Sequence, residues 1–186
     1  MEYYEINVAV IGAGRWGMNH VKTAASLLNH QNIIVCDGVS STEAKIKALS
    51  NEIIFTTDVE KIINDEKINA VIIATPAETH FEIAKKCILA GKNVLVEKPL
   101  TLYLNAAKEL EELALEKCVK LMVGHVLLFH PAILKMKEEL ESGKLGKLQY
   151  IYSNRLNLGA FRSEENILWS FAPHDISVIQ FLVGEY

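Results

Sequence analysis

The chain has 186 residues, half of them hydrophobic, with a formal net charge of −4. That is enough to bury one full core with some chain to spare, and the mild acidity excludes the electrostatic footprint of a nucleic-acid-binding protein. No apolar run reaches the roughly 18 to 20 residues needed to span a bilayer, so no membrane partner is expected.

The first residues, MEYYEINVAV, carry no basic region and run straight into a strand pattern, so no signal peptide is expected and the protein reads as cytoplasmic. Short apolar runs then alternate with longer amphipathic ones. Strands are predicted at 6–11, 32–37, 53–56, 70–75, 93–97 and 120–124, with helices near 15–28, 42–50, 58–65, 78–90 and 103–118. The strand candidates are continuously rather than alternately hydrophobic, as expected for a sheet covered on both faces. The alternation therefore predicts an α/β, doubly wound parallel sheet over residues 1–124.

The rhythm changes after that point. HPAILKMKEELESGKLG reads as an amphipathic helix with Pro131 in its first turn, KLQYIYSNRLNLG as a strand, and PHDISVIQFLVG as the start of another helix. One strand and two helices do not complete a domain, so 125–186 reads as part of a truncated second α/β domain. The three cysteines, Cys36, Cys87 and Cys118, are far apart among apolar neighbours and read as reduced core thiols. No metal is expected.

VIGAGRWG places Gly12, Gly14 and Gly17 in G-x-G-x-x-G spacing, directly after the first strand and at the opening of a helix. In that context Gly12 makes the tight turn and Gly14 lets the backbone approach a pyrophosphate. Gly17 permits close helix–strand packing, and the helix N-terminus carries the phosphates. Arg15 and Trp16, inside the turn, are further candidates for cofactor contact. Asp37 ends the second strand, where a carboxylate accepts hydrogen bonds from the adenosine ribose and repels a 2′-phosphate. GVSST follows it, without Arg or Lys, so NAD is favoured over NADP. Thr75, Pro76 and His80, in ATPAETH, occupy the same kind of strand end, and His20 and His30 read as structural.

EKP (97–99) ends another buried strand. Charges buried without partners cost several kcal/mol, so Glu97 and Lys98 should face an opening. Pro99 restricts Lys98 to an extended backbone, from which the ammonium can reach a substrate hydroxyl and stabilise a developing alkoxide. Glu97 can balance that charge or contact the cofactor.

GAGRWG, ATPAETH, EKPL and GHVLLFHP, in this order, resemble the Gfo/Idh/MocA oxidoreductase family. The resemblance implies a Rossmann domain followed by an α/β domain with an open sheet, Lys98 as the catalytic lysine, His174 as its partner histidine, and a homo-oligomer. RLNLGAFRSEENILWSFAPHDIS further resembles dehydrogenases of the 3-hydroxyl of UDP-N-acetylglucosaminuronic acid, which act in surface-polysaccharide synthesis. Many members of the wider family carry Asp four residues before the histidine. Ser170 stands there instead, which favours a Lys98–His174 pair over a triad. An imidazole is suited to accept the hydroxyl proton near neutral pH, and Asp175 beside it would favour a helix start.

A nucleotide-sugar acid brings a carboxylate and a pyrophosphate, for which Arg155 and Arg162 are candidate ligands. Asn157, Trp169 and His125 are weaker ones. The expected function is NAD-dependent oxidation of a UDP-sugar acid. The alternatives are a dehydrogenase of a free sugar or inositol and a truncated, non-catalytic NAD-binding protein.

Overall fold

Strand β1 (Val8–Ile11) shows why the first 124 residues fold as they do: Ala9 and Ile11 pack into one apolar core and Val10 into another, on opposite faces of one sheet. In this computed structural model the described residues are 6–154 and 167–184. The remaining strands are β2 (Ile33–Cys36), β3 (Ile54–Thr56), β4 (Ala70–Ile73), β5 (Asn93–Val96) and β6 (Leu121–Val123). All pair in parallel in the order β3-β2-β1-β4-β5-β6. This is a Rossmann-like doubly wound sheet. Expected and observed strands agree to within two residues at each end.

The crossover helices are α1 (Gly17–Leu27), α2 (Thr42–Leu49), α3 (Val59–Ile63), α4 (Ala77–Leu89) and α5 (Leu104–Glu116). Val21 and Ala24 of α1 and Ile46 of α2 enter the core that contains Val10, Ile33 and Val35. Ala84, Cys87 and Ile88 of α4, with Leu110 and Ala114 of α5, enter the core that contains Ala9, Val71, Ile73 and Val96. Each fully buried Val, Ile or Leu contributes about 1.5–3 kcal/mol, so the two cores are what hold the strand ends in place. Asp58 caps α3, its Oδ1 accepting from the Glu60 N–H at 3.0 Å.

Contacts divide the chain into Met1–Gly124 and His125–Tyr186. In the second unit, α6 (Pro131–Glu141) begins as its sequence predicts, with Pro131 in the first turn, and His130 Nδ1 accepts from the Ala132 N–H at 3.2 Å. Helix α7 (Ile167–Val183) packs with α6, and Lys137 Nζ donates to the Leu182 carbonyl at 3.4 Å and lies 5.7 Å from the Phe181 ring centre.

Two expectations for this unit fail. The strand predicted from Lys147 is absent over the described residues 147–154. Apolar alternation makes a strand only where a neighbouring ladder takes up its N–H and C=O groups, and no strand lies in this unit among the described residues. The last helix does not start at Pro173 either; α7 begins at Ile167 and carries Pro173 inside it. Proline removes one donor, to the Trp169 carbonyl, at a cost of about 3 kcal/mol, but the apolar stretch around it continues the helix. His174 and Asp175 are therefore mid-helix, and the argument placing Asp175 at a helix dipole falls.

Cys36 and Cys87 are buried as expected, whereas Cys118 is exposed. Burial pushes the Cys36 thiol up to about 11, helped by the Asp37 and Asp58 carboxylates, and the Cys87 thiol up to about 12. Neither is a reactive thiolate near neutral pH. No helix among the described residues is long and apolar enough to cross a membrane.

Candidate dinucleotide site

Register aligns the candidate residues. Ile11 pairs with Ile73, and Ile73 with Val96. The residues that follow, Gly12, Ala74-Thr75 and Glu97-Lys98, leave the sheet side by side at its carboxyl edge. The strand order reverses between β1 and β4, which is where such sheets open a crevice for ligands.

The glycine turn is built for close approach. Gly12 has φ +87°, and a Cβ there would stand 2.8 Å from the Ala74 carbonyl and the Thr75 nitrogen. A Cβ on Gly17 would overlap the Gly12 carbonyl oxygen. Gly14 is the opposite case: nothing lies within 4 Å of where its Cβ would be. Two glycines are thus required by the protein's own packing and one leaves open space, at a turn that leads into the N-terminus of α1, where the helix dipole favours negative charge. That is a cradle for an anion. Residues Gly12, Gly14 and Gly17 fit the pyrophosphate of a dinucleotide, and Arg15 and Trp16 stand exposed beside it.

Asp37 carries an extra duty. Its Oδ2 accepts from the Ala13 N–H at 2.7 Å and its Oδ1 from the Val39 N–H at 2.8 Å. The carboxylate thus ties the glycine turn to the end of β2. Each oxygen retains a further lone pair for a ribose hydroxyl.

Beyond β4, Thr79 Oγ1 lies 2.7 Å from both Thr75 Oγ1 and the Pro76 carbonyl. His80 is 1% exposed; its Nδ1 lies 2.8 Å from the Pro99 carbonyl and its Nε2 2.9 Å from the Thr75 carbonyl. His80 is thus held between two backbone carbonyls at the foot of the crevice-side loops. The ring lies between the loop after β4 and the EKP loop, with an N–H to donate to one of these two carbonyls in either neutral tautomer.

Glu97 is likewise committed. Its Oε1 accepts from the Trp16 indole at 2.7 Å and lies 2.7 Å from His20 Nε2, while its Oε2 is 3.4 Å from the Lys98 N–H. Burial pushes its carboxyl up, but the hydrogen bonds from His20 and Trp16 outweigh this and hold it below its ordinary value. An ionised carboxylate only accepts, so His20 Nε2 is the donor. His20 thus joins α1 to the end of β5. Lys98 is half-buried, follows Glu97 directly, and precedes Pro99 through a cis peptide bond.

His30 is local, with Nε2 3.1 Å from the Ala25 carbonyl. In the second unit His125 stands one residue beyond Gly124, Trp169 is part-exposed on α7, and His174 is half-buried in the same helix. Arg155, Asn157 and Arg162 lie outside the described residues. No cluster of His, Cys, Asp or Glu able to hold a metal occurs among the described residues.

Residues 6–125 match the oxidoreductase family Gfo/Idh/MocA, described as an NAD-binding Rossmann fold. The chain is 30% identical over 184 residues to inositol 2-dehydrogenase 2 of Saccharopolyspora erythraea, covering 97% of this chain and 54% of that protein. It is 29% identical over 189 residues to the NAD(+)-dependent scyllo-inositol 2-dehydrogenase of Bacillus subtilis, covering 97% and 55%. Among solved structures, GenD2 from gentamicin A biosynthesis, in complex with NAD, superposes with a TM-score of 0.83 at 24% identity over 99% of this chain and 55% of that one, a likeness of fold. The chain thus spans about half the length of these relatives. With the glycine cradle, the switch-point crevice and these matches agreeing, the chain belongs to the Gfo/Idh/MocA family of NAD-binding oxidoreductases.

Proposed function

We propose that this protein oxidises a secondary hydroxyl of a cyclic polyol or free sugar, with NAD as the acceptor. The observation that carries the reading is the shared edge. The cradle at Gly12–Gly17 and the lysine at Lys98 leave β1 and β5 on either side of β4, in one register. The two inositol dehydrogenases similar over nearly the whole chain support the substrate class.

Bound NAD supplies the hydride acceptor, so the alcohol loses a hydride and a proton and becomes a ketone. The residues of this chain do the rest. The glycine turn and the α1 N-terminus hold the pyrophosphate, and Asp37 accepts from the ribose while anchoring the turn. Lys98 donates to the substrate oxygen and stabilises the negative charge that builds there. His174 takes the proton, the role the family resemblance gives it.

A UDP-sugar acid is the second reading, favoured by the segment NILWSFAPHD. Following NAD reduction on inositols, free hexoses and UDP-hexuronates separates the two. Turnover confined to the UDP-sugars overturns the first reading, and NADH binding without turnover on any of them leaves a binding protein. Lys98→Met should lower turnover by roughly 10²–10⁴-fold while NADH affinity stays nearly unchanged. Near-normal turnover would remove Lys98 from its role.

A further inference from the structure

The Glu97 carboxylate is the meeting point of three elements of the first unit. It grows from the end of β5 and receives two donors on one oxygen, Trp16 from the residue before α1 and His20 from α1 itself. Its other side presses on the end of β6, where a Cβ on Gly124 would stand 2.9 Å from the carboxylate atoms. Gly124 N–H in turn donates to the Val96 carbonyl at 2.7 Å, closing the group. The Trp16 and His20 rings stand edge to face, centres 6.4 Å apart and planes at 88°, so each fixes the other's approach to the same oxygen. The Glu97 side chain is 13% exposed.

This arrangement differs from the usual use of a carboxylate beside an active lysine. Oε1 is taken by α1, and Oε2 faces the lysine's own backbone N–H. Trp16 is the residue immediately before α1, in the turn that receives the pyrophosphate, and His20 lies one turn into the same helix. Anything that settles the turn therefore acts on the carboxylate, and the carboxylate acts on the peptide that carries Lys98.

We propose that Glu97 and His20 are positioning residues that couple the dinucleotide-binding turn to the backbone of Lys98, so that nucleotide binding and lysine placement favour one another. The proposal rests on the reading of the turn as the NAD site and of Lys98 as the working lysine. Coupling of this kind is reciprocal. A lysine loop freed from α1 weakens nucleotide binding, although neither His20 nor the Glu97 carboxylate has to touch the nucleotide.

The test uses the 186-residue chain and two readouts, NADH titration by fluorescence and the amide signal of Lys98 in proton–nitrogen NMR. His20→Leu removes one donor and keeps the bulk; His20→Gln returns an N–H donor; Glu97→Leu removes the acceptor. In His20→Leu the Lys98 amide signal should shift without nucleotide, through the Glu97 carboxylate that both residues meet. NADH affinity should fall by roughly five- to tenfold, the lower end of ordinary coupling between sites. His20→Gln should restore much of both. Adding His20→Leu to Glu97→Leu should change neither further.

A merely structural histidine would lower the melting temperature without this selective shift and without rescue. An unmoved Lys98 amide in a folded His20→Leu chain overturns the proposal, as does full additivity of the two leucine substitutions. If the unmutated chain fails to bind NADH, the dinucleotide reading fails, and the amide signal and its rescue still decide whether His20 acts through Glu97 on Lys98.

Discussion

The two units of the chain solve the same problem unequally. Residues up to Gly124 enclose two apolar cores around six parallel strands, and Ala9, Val10, Ile33, Ile73 and Val96 are fully buried. Beyond His125 the described residues give helices and irregular chain; Leu145 is 70% exposed, Tyr150 82% and Tyr152 75%. Apolar content is not what separates them. The first unit has paired strands for its hydrophobic residues to lie on, and the second has none among the described residues. A hydrophobic side chain stabilises a fold only when a partner surface removes it from water.

Substitution at Gly17 should separate the units most. Gly17→Ala drives a methyl group into the Gly12 carbonyl, which is backbone and cannot swing aside. It should abolish NADH binding and unfold the first unit at lower denaturant, while far-UV circular dichroism retains helix from the second. Gly14→Ala sharpens the point, since the protein leaves that space open. Its melting temperature should stay near that of the parent and its NADH affinity should fall. Equal stability losses in the two variants would show that the turn is not built around a ligand.

Core truncation comes next. Ile73→Ala, on a fully buried strand residue, should cost about 2–5 kcal/mol in chemical denaturation. Leu145→Ala, on an exposed one, should stay within about 0.5 kcal/mol. A comparable loss at Leu145 would mean that the second unit buries this residue in solution. Hydrogen exchange gives a third reading. Amides of β1, β4 and β5 should exchange only through global opening, and those of residues 147–154 far faster.

Acid should have the smallest effect. The folded protein holds the Glu97 carboxyl below its ordinary value, so the folded state binds this proton less readily than the unfolded chain. Its contribution to stability is fully present above the ordinary glutamate value of about 4.3 and is lost as pH falls through the lower folded value. Glu97→Gln should flatten that part of the stability profile. An unchanged acid limb in this variant would place the sensitivity elsewhere.

Much of the first unit was legible because its signals are local. A four-residue apolar run followed by G-x-G-x-x-G needs only neighbouring residues to declare a strand, a turn and a helix start, and Asp37 sits where the second strand must end. The roles of Glu97, His20 and His80 were not legible in the same way. Glu97 and His20 are 77 residues apart, and His80 meets Pro99 across 19. No periodicity announces such a pair.

Sequence alone determined the alternation of β1 through β6 with their helices, the glycine cradle and the place of Lys98 at a strand end. These follow from backbone propensity, hydrophobic period and the steric freedom of glycine, all set within a few residues. Tertiary structure alone decided that the carboxylate of EKP pairs with Trp16 and His20 at the start of α1, and that α7 runs through Pro173. It also decided that the alternating stretch after Lys147 forms no strand over its described residues. Each of those outcomes depends on which distant group supplies a donor, an acceptor or an apolar surface, and that choice is made only when the elements pack.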